Sequence, residues 1–525
     1  MAYPAQAHAR KTLQKLTDLL PPEERIKPQI IILSGSVTPY RNDTDREMPF
    51  RQVGAIKFFY ITGCSVPSSL VILRTSSTAS GSEISLFIPD AEPGDLMWSV
   101  PPPTIAAARE MCDIANIFHT KSFASSFASI LAAAPGALIH TLPQTSQFPA
   151  LPSFPAGVTN SSDAYLLPAL HRARLIKSDA EIKRIRHANE ISSRAHEVVM
   201  RVLGTRVRSA QASQYSGVNR HLLLPGEWLI ESEAEAEAIF VASCRREGAV
   251  NQAYLPIVAA STRAATLHYC CNDREFAWGP NTAHDHAGHE VFASEALDLL
   301  PQVLLIDAGC EWDNYASDIT RTMPVGNGGK FTPEARAIYE LVLQMQTASL
   351  AVLKPGLHWD AVQLLCHRTL IRGFQKLGIF TAETEETVLL ASGVSAAFFP
   401  HGVGHSLGLD VHDVPSVSKP VRNPTVMRDG AEPDNEKFYE YLRLRLPLEA
   451  GMVVTVEPGI YFHYHLLSGV RNSEFIDHEV LSRYESVGGV RIEDVVLIRP
   501  DGPEILSTVP RDLEWVEGVC SGGEL

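Results

Sequence analysis

The chain has 525 residues, more than one hydrophobic core usually supports, so two domains are expected. Hydrophobic residues make up 45% of the sequence and charged residues 20%, which is typical of a globular protein with a substantial core. The formal net charge is -15, from 45 basic and 60 acidic residues, and no basic stripe with interleaved aromatic residues offsets it. Because this balance repels phosphate backbones, we exclude nucleic acid as a partner.

Cysteine usage and hydropathy both favour a cytoplasmic protein. The cysteines form no CxxC pair, and their scattered placement gives neither a zinc site nor a disulfide framework. The N-terminus has no apolar run of signal length, and no segment reaches the roughly 18 apolar residues of a membrane span. We therefore expect no membrane association and a reducing, cytoplasmic location.

The first part of the chain alternates short strands and helices. Apolar runs bounded by turn residues predict strands at 30–33, 69–73 and 84–88. Residues 140–162 are rich in proline, serine and threonine and have no period, which is typical of a linker. We therefore predict an N-terminal α/β domain over residues 1–170.

The remaining residues, 171–525, predict a second domain in which long helices lie between strands. Two capping boxes, in which a serine precedes a glutamate by three positions, and one threonine–proline pair mark three helix starts. The fold class is therefore α+β with two domains. The residues of the start signals are Ser178, Glu181, Ser232, Glu235, Thr332 and Pro333.

Two stretches of the second domain, 274–300 and 416–436, look inserted. The first contains three histidines in a polar, glycine-bearing context, and the second is rich in proline, asparagine and aspartate. We expect surface loops, with adventitious metal binding by the histidines as the alternative. The histidines are His284, His286 and His289.

Four segments place an acid or a histidine where a buried strand ends or turns. In residues 303–309, an apolar run leads into Asp307, and a buried aspartate must be paired or metal-bound unless it only caps the strand end. Asp318 follows eleven residues later, so a turn would bring both aspartates onto neighbouring strands of a hairpin. Two close carboxylates repel unless they share a proton or a cation. The alternative is an ion pair between Asp318 and Arg321.

The third segment, residues 399–413, combines three histidines with three glycines and has no helical period. Glycine lets the backbone approach a ligand closely, and neutral imidazole is a common metal ligand and general base. This composition favours a functional site over a packed core. The histidines are His401, His405 and His412.

The fourth segment is a pair of predicted strands, 453–459 and 491–498. Glu457 ends a buried run, and Glu493 shares a strand face with Arg491, although each glutamate alone also fits an ordinary ion pair.

Taken together, four carboxylates and one imidazole carry a charge that two divalent cations would neutralise. A hard, oxygen-rich ligand set suits Mn²⁺, Co²⁺ or Zn²⁺ better than metals that seek thiolates, and we expect Mn²⁺ first. Paired cations serve metal-assisted amide hydrolysis. The five candidate ligands are Asp307, Asp318, His405, Glu457 and Glu493.

These motifs together resemble the creatinase/aminopeptidase P/prolidase family of metallopeptidases, which have the pita-bread fold. The sequence motifs that carry the resemblance are IDAG, SDITRT, HGVGHSLGLDVHD, TVEPGIY and RIED in the second domain, with FRQ and YITGC in the first. The resemblance implies a creatinase-like N-terminal domain over 1–170, a pita-bread catalytic domain over 171–525, and a homodimer.

The resemblance also implies a role for each ligand. Asp318 and Glu493 would bridge two cations, Asp307 would bind one of them, and His405 with Glu457 would bind the other. Glu457 would in addition accept the proton of the attacking water.

Further residues acquire roles from the same resemblance. Three histidines would orient the substrate and carry a proton to the leaving prolyl nitrogen, and two arginines would lie near the end of the substrate. One of these, Arg443, would bind a substrate carboxylate as a bidentate fork. The histidines are His268, His401 and His412, and the second arginine is Arg491.

The function implied first is an Xaa-Pro aminopeptidase acting on proline-containing di- or oligopeptides. A prolidase, restricted to dipeptides, is the alternative, because the segment GIYFHYHLL resembles prolidase sequences. A non-catalytic pita-bread binding protein is disfavoured since all five ligands are present, and methionine aminopeptidase ranks last. The sequence leaves open the metal, the peptide length, the residue before proline and the oligomeric state.

Overall fold

The chain folds as two compact units, Met1–Ile176 and Lys177–Leu525. The structure is a computed structural model that describes residues 2–37, 55–75, 81–94, 96–98, 100–154, 158, 160–211, 227–276, 299–419 and 436–523. The predicted histidine trio, the FRQ motif and most of both predicted insertions lie outside the described residues. The domain boundary placed after residue 170 stays a prediction.

The first unit is built on a mixed sheet that has six strands among its described residues. The strands are β1 (Gln29–Ser34), β2 (Leu70–Thr75), β3 (Ser82–Ile88), β4 (Asn116–His119), β5 (Leu138–His140) and β6 (Ser161–Ser162). Their spatial order is β4-β3-β2-β1-β5-β6, with antiparallel pairing around β2 and parallel pairing at both edges. The three predicted strands are confirmed.

Helices cover this sheet and bury its apolar positions. They are α1 (Ala5–Leu19), α2 (Pro22–Arg25), α3 (Ile56–Thr62), α4 (Ile105–Met111), α5 (Phe123–Ala133) and α6 (Leu166–Leu175). On one face, Ile30, Ile72 and Phe87 of the sheet pack with Phe123 and Phe127 of α5. Each such side chain contributes about 1.5–3 kcal/mol when fully buried. The proline-rich residues 140–162 belong to this unit, because β6 pairs with β5.

The second unit combines long helices with small antiparallel sheets. Its helices are α7 (Asp179–Gln211), α8 (Glu233–Arg246), α9 (Pro333–Val352), α10 (Trp359–Leu377), α11 (Glu386–Ser392), α12 (Pro415–Ser418), α13 (Tyr464–Ser468), α14 (His478–Tyr484) and α15 (Leu513–Cys520). Its strands are β7 (Ile257–Ala260), β8 (Gln302–Asp307), β9 (Glu311–Trp312), β10 (Tyr315–Ala316), β11 (Thr320–Val325), β12 (Val453–Val456), β13 (Gly459–Tyr461), β14 (Gly489–Arg491), β15 (Asp494–Arg499) and β16 (Gly502–Ile505). Of the helices in the described residues, none has the length and apolar character needed to cross a bilayer.

All three predicted helix starts are confirmed by their capping bonds. The backbone N–H of Ser178 donates to Glu181 Oε2 at 2.9 Å, and Ser232 Oγ accepts from the Glu235 N–H at 3.2 Å. Thr332 Oγ1 caps α9, which begins with proline as predicted. Each cap satisfies an N–H that the helix cannot pair itself.

Strand pairing brings the predicted acidic segments together. β8 pairs antiparallel with β7 and β11, and Thr320 lies opposite Asp307. The predicted hairpin is therefore confirmed, although Asp318 lies two residues ahead of β11. The predicted strand 491–498 is interrupted, because Glu493 lies between β14 and β15 and forms a bridge with Thr320.

The turn between Asp307 and Asp318 gives a prediction about stability. A Cβ at Gly309 would lie 2.0 Å from the carbonyl oxygen of Ser317, whereas a Cβ at Gly518 in α15 meets nothing within 4 Å. We expect Gly309→Ala to lower the free energy of unfolding by about 2 kcal/mol or more, because backbone must move. The control Gly518→Ala is expected to raise it by about 0.5–1 kcal/mol. Urea unfolding midpoints measure both, and a parental midpoint for Gly309→Ala would contradict this account.

Candidate metal centre

The structure brings every predicted site residue to one cavity of about 550 Å³ in the second unit. These residues come from segments that are far apart in the chain. They are His268, Asp307, Asp318, His401, His405, His412, Arg443, Glu457, Arg491 and Glu493. The residues therefore meet in space as predicted, while the role of each stays a prediction.

The two aspartates are held by one tyrosine. The hydroxyl of Tyr254 lies 2.5 Å from Oδ1 of Asp307 and 2.5 Å from Oδ1 of Asp318 and is placed to donate to either. Burial, followed by the charges of both aspartates, raises the pKa of Tyr254 well above its usual value, so the hydroxyl stays a donor. Its single proton offsets only part of the repulsion between two carboxylates.

His405 presents one ring nitrogen to the acids. Its Nδ1 lies 3.1 Å from the carbonyl oxygen of Ser406, which accepts a hydrogen bond and leaves the lone pair of Nε2 for a ligand. Nε2 lies 3.3 Å from Asp318 Oδ2 and 3.5 Å from Glu457 Oε1. Ligand atoms of Asp318, His405 and Glu493 all lie within 4.8 Å of one another.

Each glutamate is oriented by a threonine. Thr320 donates to Glu493 Oε2 at 2.7 Å, and Thr455 donates to Glu457 Oε1 at 3.3 Å. Thr455 also accepts from the N–H of His405 at 3.1 Å, so it joins two predicted ligands. Such bonds to ligand side chains fix their direction.

Arg491 lies inside the acidic group rather than at its edge. Its guanidinium donates to Asp307 Oδ2 at 2.6 Å, to the Tyr461 hydroxyl at 2.9 Å and to Thr320 Oγ1 at 3.1 Å. The residue is only 3% exposed. Its contact with substrate therefore stays a prediction, whereas its ion pair with Asp307 is part of the structure.

The alternative ion pair between Asp318 and Arg321 is wrong. Arg321 Nη2 instead donates to Asp494 Oδ1 at 2.7 Å, and both side chains are fully buried. Asp494 accepts a second bond from Arg511 at 2.8 Å. Asp318 is consequently left to the other acids, Tyr254 and His405.

A glutamine fixes the loop that carries His401 and His405. Gln363 of α10 is fully buried, accepts from the N–H of Val403 at 2.6 Å and donates to the carbonyl of His401 at 2.9 Å. A Cβ at Gly404 would lie 2.0 Å from the carbonyl oxygen of Thr455, so this glycine allows the loop to pack against β12.

Two further histidines of the cavity, His401 and His412, favour the neutral form. Desolvation within the cavity lowers the pKa of His401 to about 3, and it lowers the pKa of His412 as well, although His412 is the more exposed of the two residues. His401 Nε2 lies 2.8 Å from the Tyr461 hydroxyl, and the ring of His412 packs edge-on against that of His405 at 4.4 Å. His268 is exposed to the cavity.

Arg443 differs from Arg491 in its environment. It lines the cavity and is exposed, and it has no hydrogen bond or ion pair with any described residue. A cation without a partner at a cavity wall is a candidate for binding a ligand carboxylate.

The acids of this cavity fit divalent cations. Burial raises the pKa of Asp318, raises that of Glu457 to about 7 and raises that of Glu493 well above its usual range. For His405, burial opposes the charged form, but Asp318 and Glu457 outweigh it and raise its pKa. Excess negative charge, oxygen donors and a free imidazole nitrogen are the chemistry that hard or borderline cations require.

Sequence reasoning missed several residues that orient this site. Thr320 lies in the SDITRT motif and Tyr461 lies in the TVEPGIY motif, but the sequence analysis assigns neither of them a role. Tyr254 and Gln363 gave no signal, since a tyrosine or a glutamine in an ordinary segment has many structural uses. Their partners lie far away in the chain.

The raised pKa values give a prediction for the metal-free protein. Glu457 titrates near 7 when folded and near 4.5 when unfolded, so the folded state binds more protons between these values. The contribution of Glu457 to the free energy of unfolding should therefore fall as the pH rises from about 4.5 to about 7, whereas buried histidines with lowered pKa values, such as His401, contribute in the opposite direction. Excess Mn²⁺ should remove this fall, because metal binding displaces the protons.

Thermal unfolding in chelator and in Mn²⁺ across that pH range measures the effect. The difference in midpoint between the parent and Glu457→Gln should fall as the pH rises in chelator, while the difference between the parent and the exposed control Glu449→Gln should stay constant. A difference for Glu457→Gln that does not change with pH would contradict the raised pKa of this carboxyl.

Comparison with known proteins agrees with this geometry. Residues 183–500 match metallopeptidase family M24, and residues 7–140 match the aminopeptidase P N-terminal domain. Probable Xaa-Pro aminopeptidases of Paracoccidioides brasiliensis and Aspergillus terreus are each 36% identical, over 523 and 528 residues, covering 99% of this chain and 97% of each relative.

Solved structures are similar over the whole chain. Zn-substituted Escherichia coli aminopeptidase P in complex with product is 25% identical, with a TM-score of 0.68 and 99% of both chains covered. Proline aminopeptidase P II from Yersinia pestis is 25% identical, with a TM-score of 0.67 over 98% of this chain and 99% of that one. The chain therefore belongs to metallopeptidase family M24 and has its α+β, two-domain fold, a creatinase-like α/β domain followed by a pita-bread catalytic domain.

Proposed function

We propose that the protein is a metallo-aminopeptidase that releases the N-terminal amino acid from peptides whose second residue is proline. The observation that carries the proposal is the meeting of four acids, four histidines and two arginines at one cavity. The names of the relatives, probable Xaa-Pro aminopeptidases, favour this function over prolidase.

The cofactor we propose is a pair of divalent cations, with Mn²⁺ first and Co²⁺ or Zn²⁺ as alternatives. Asp307, Asp318, His405, Glu457 and Glu493 would hold them. When bound, the cations would polarise the scissile carbonyl and activate the attacking water. Asp318 suits a bridging role, since one of its oxygens faces His405 and the other shares Tyr254 with Asp307.

Glu457 is the proposed proton acceptor. Without metal, burial raises the pKa of this carboxyl to about 7. Thr455 holds one of its oxygens, which leaves the other, Oε2, directed towards His401 at 3.7 Å from Nδ1.

Departure of proline needs a proton, because the prolyl nitrogen carries no hydrogen in the peptide. His268, His401 and His412 are the proposed carriers and substrate-orienting groups. His401 is neutral, and Nδ1 donates to the carbonyl of Gly402 at 2.9 Å, so Nε2 faces the Tyr461 hydroxyl as an acceptor. These two hydrogen bonds fix the orientation of the His401 ring in the cavity.

The position of Arg443 favours short peptides as substrates. A guanidinium at the cavity wall that has no partner among the described residues would bind the free carboxylate of a short peptide through a two-point contact. This feature favours di- and tripeptides among the substrates, and it keeps dipeptide hydrolysis within the proposed activity.

The cellular setting is also part of the proposal. All eight cysteines are free thiols, which suits a reducing cytoplasm. The partner is a peptide, and association as a homodimer stays a prediction from the family resemblance.

A peptide panel tests the substrate. We expect hydrolysis of Xaa-Pro peptides of rising length in the presence of Mn²⁺, with release of the first amino acid, and no hydrolysis of matched Xaa-Ala peptides. Arg443→Gln should raise KM for free-acid tripeptides about tenfold and leave KM for the amidated forms unchanged, since only the former offer a carboxylate. Cleavage of dipeptides alone would establish prolidase, and cleavage of neither would reject the proposal.

Two variants on one turn test the metal site. Asp318→Asn keeps the shape of the side chain but removes its charge, and turnover should fall on the order of 10³-fold, with loss of bound metal. Asp313→Asn changes an exposed carboxylate in the same hairpin and should retain turnover and metal. Elemental analysis with Xaa-Pro kinetics measures both, and normal turnover of Asp318→Asn would remove this residue from the site.

A further inference from the structure

The loop that carries His268 is fixed on its buried side. Residues 266–274 follow β7, and within them His268 and Cys270 line the cavity. Tyr269 lies between these two residues and points the other way, with only 5% exposure. His268 lies in a turn in which the N–H of Tyr269 donates to the carbonyl of Thr266 at 3.3 Å, and a single peptide bond joins it to Tyr269, so whatever holds Tyr269 also sets the direction of His268.

The group that holds Tyr269 is Glu233, the first residue of α8. Its Oε2 accepts from the Tyr269 hydroxyl at 2.8 Å and from the N–H of Arg274 at 3.1 Å. Its Oε1 accepts from the N–H of Ala260 at 2.8 Å and from Arg263 Nε at 2.8 Å. These four bonds fill the acceptor capacity of a carboxylate.

Glu233 is fully buried, and a buried carboxylate is costly unless it is paired and hydrogen-bonded. Arg263 neutralises its charge, and the N–H donors satisfy its remaining lone pairs. None of the four bonds is needed to form α8. They connect the end of β7, the turn that follows and the His268 loop, and β7 itself pairs with β8, which ends at Asp307.

A second anchor lies beyond His268. Asn272, whose φ is +50°, accepts from the N–H of Val258 and donates to Glu237 and to the carbonyl of Pro256, each at 2.9 Å. The loop is thus fixed at Asn272 by its side chain, and at Tyr269 by its hydroxyl together with a backbone bond to the carbonyl of Thr266 at 3.3 Å. Tyr269 also lies 3.3 Å from Asp273 Oδ1, a longer contact than that to Glu233.

We propose that Glu233 and Tyr269 are positioning residues for His268, which they hold towards the scissile bond without touching substrate. The proposal rests on the proposed hydrolysis of Xaa-Pro peptides and deepens it. The physical basis is that a general acid or orienting group loses much of its effect when it is displaced by about 1 Å.

A double-mutant cycle tests the proposal. Tyr269→Phe removes one hydroxyl and keeps the ring and the Glu233–Arg263 ion pair, so the fold should be retained. We expect kcat to fall about tenfold with KM within about twofold and bound metal unchanged. In a His268→Ala background, the same change should have no further effect, because both residues act through one imidazole.

The matched control is Tyr464→Phe, which removes a hydroxyl from a tyrosine that is 72% exposed, and it should leave kcat unchanged. A tenfold loss from Tyr269→Phe in both backgrounds would overturn the proposal, since the tyrosine would then act independently of His268. Unchanged kcat in the parental background would overturn it as well.

A measurement without substrate separates this proposal from the proposed function. The imidazole nitrogen resonances of His268, identified by their loss in His268→Ala, should shift in Tyr269→Phe while those of the other histidines remain in place. If the parent cleaves no Xaa-Pro peptide yet this shift appears, the function fails and the positioning stands. If the parent cleaves these peptides and the resonances do not move, the positioning fails alone.

Discussion

Confinement of several negative charges in one buried cavity is the constraint on which the second unit depends. Asp318 and Glu493 are 5% and 2% exposed, and Asp307 and Glu457 line the same space. Burying one unpaired carboxylate is costly, and a like-charged neighbour adds to that cost. Hydrogen bonds and charge from Tyr254, Thr320 and Arg491 offset part of this free-energy cost, and the proposed cations would offset the rest.

Two adjacent acids next to the cavity have different roles, one as a proposed metal ligand and the other in a buried ion pair. Glu493 faces the cavity, whereas the next residue, Asp494, faces the opposite side and pairs with Arg321 and Arg511. Arg321 also donates to the backbone carbonyls of Thr320 and Glu493, which joins β11 to the break between β14 and β15. The buried ion pair between Arg321 and Asp494 thus fixes the backbone at Glu493, which is a proposed metal ligand.

Much of the fold was predictable where the signal is local. Capping boxes placed the starts of α7 and α8, and apolar runs that end in an acid placed Asp307 and Glu457 at strand ends. The sequence analysis did not predict the interruption at Glu493, although the alternation of apolar and polar residues stops there, where Glu493 and Asp494 are adjacent and four apolar residues follow. A bridge to Thr320, 173 residues away in the chain, decides that break.

The sequence by itself determined the family, the two-domain α+β fold and the charged and histidine residues predicted for the site, because motifs are short and their spacing is local. Only the tertiary structure decided which donor serves which acid. Arg321 lies three positions from Asp318 in the chain but pairs with Asp494. Tyr254 contacts Asp307 and Asp318, although its own segment carries no sequence signal. The physical reason is that hydrogen bonds and ion pairs depend on distance in space, which strand pairing sets and sequence separation does not.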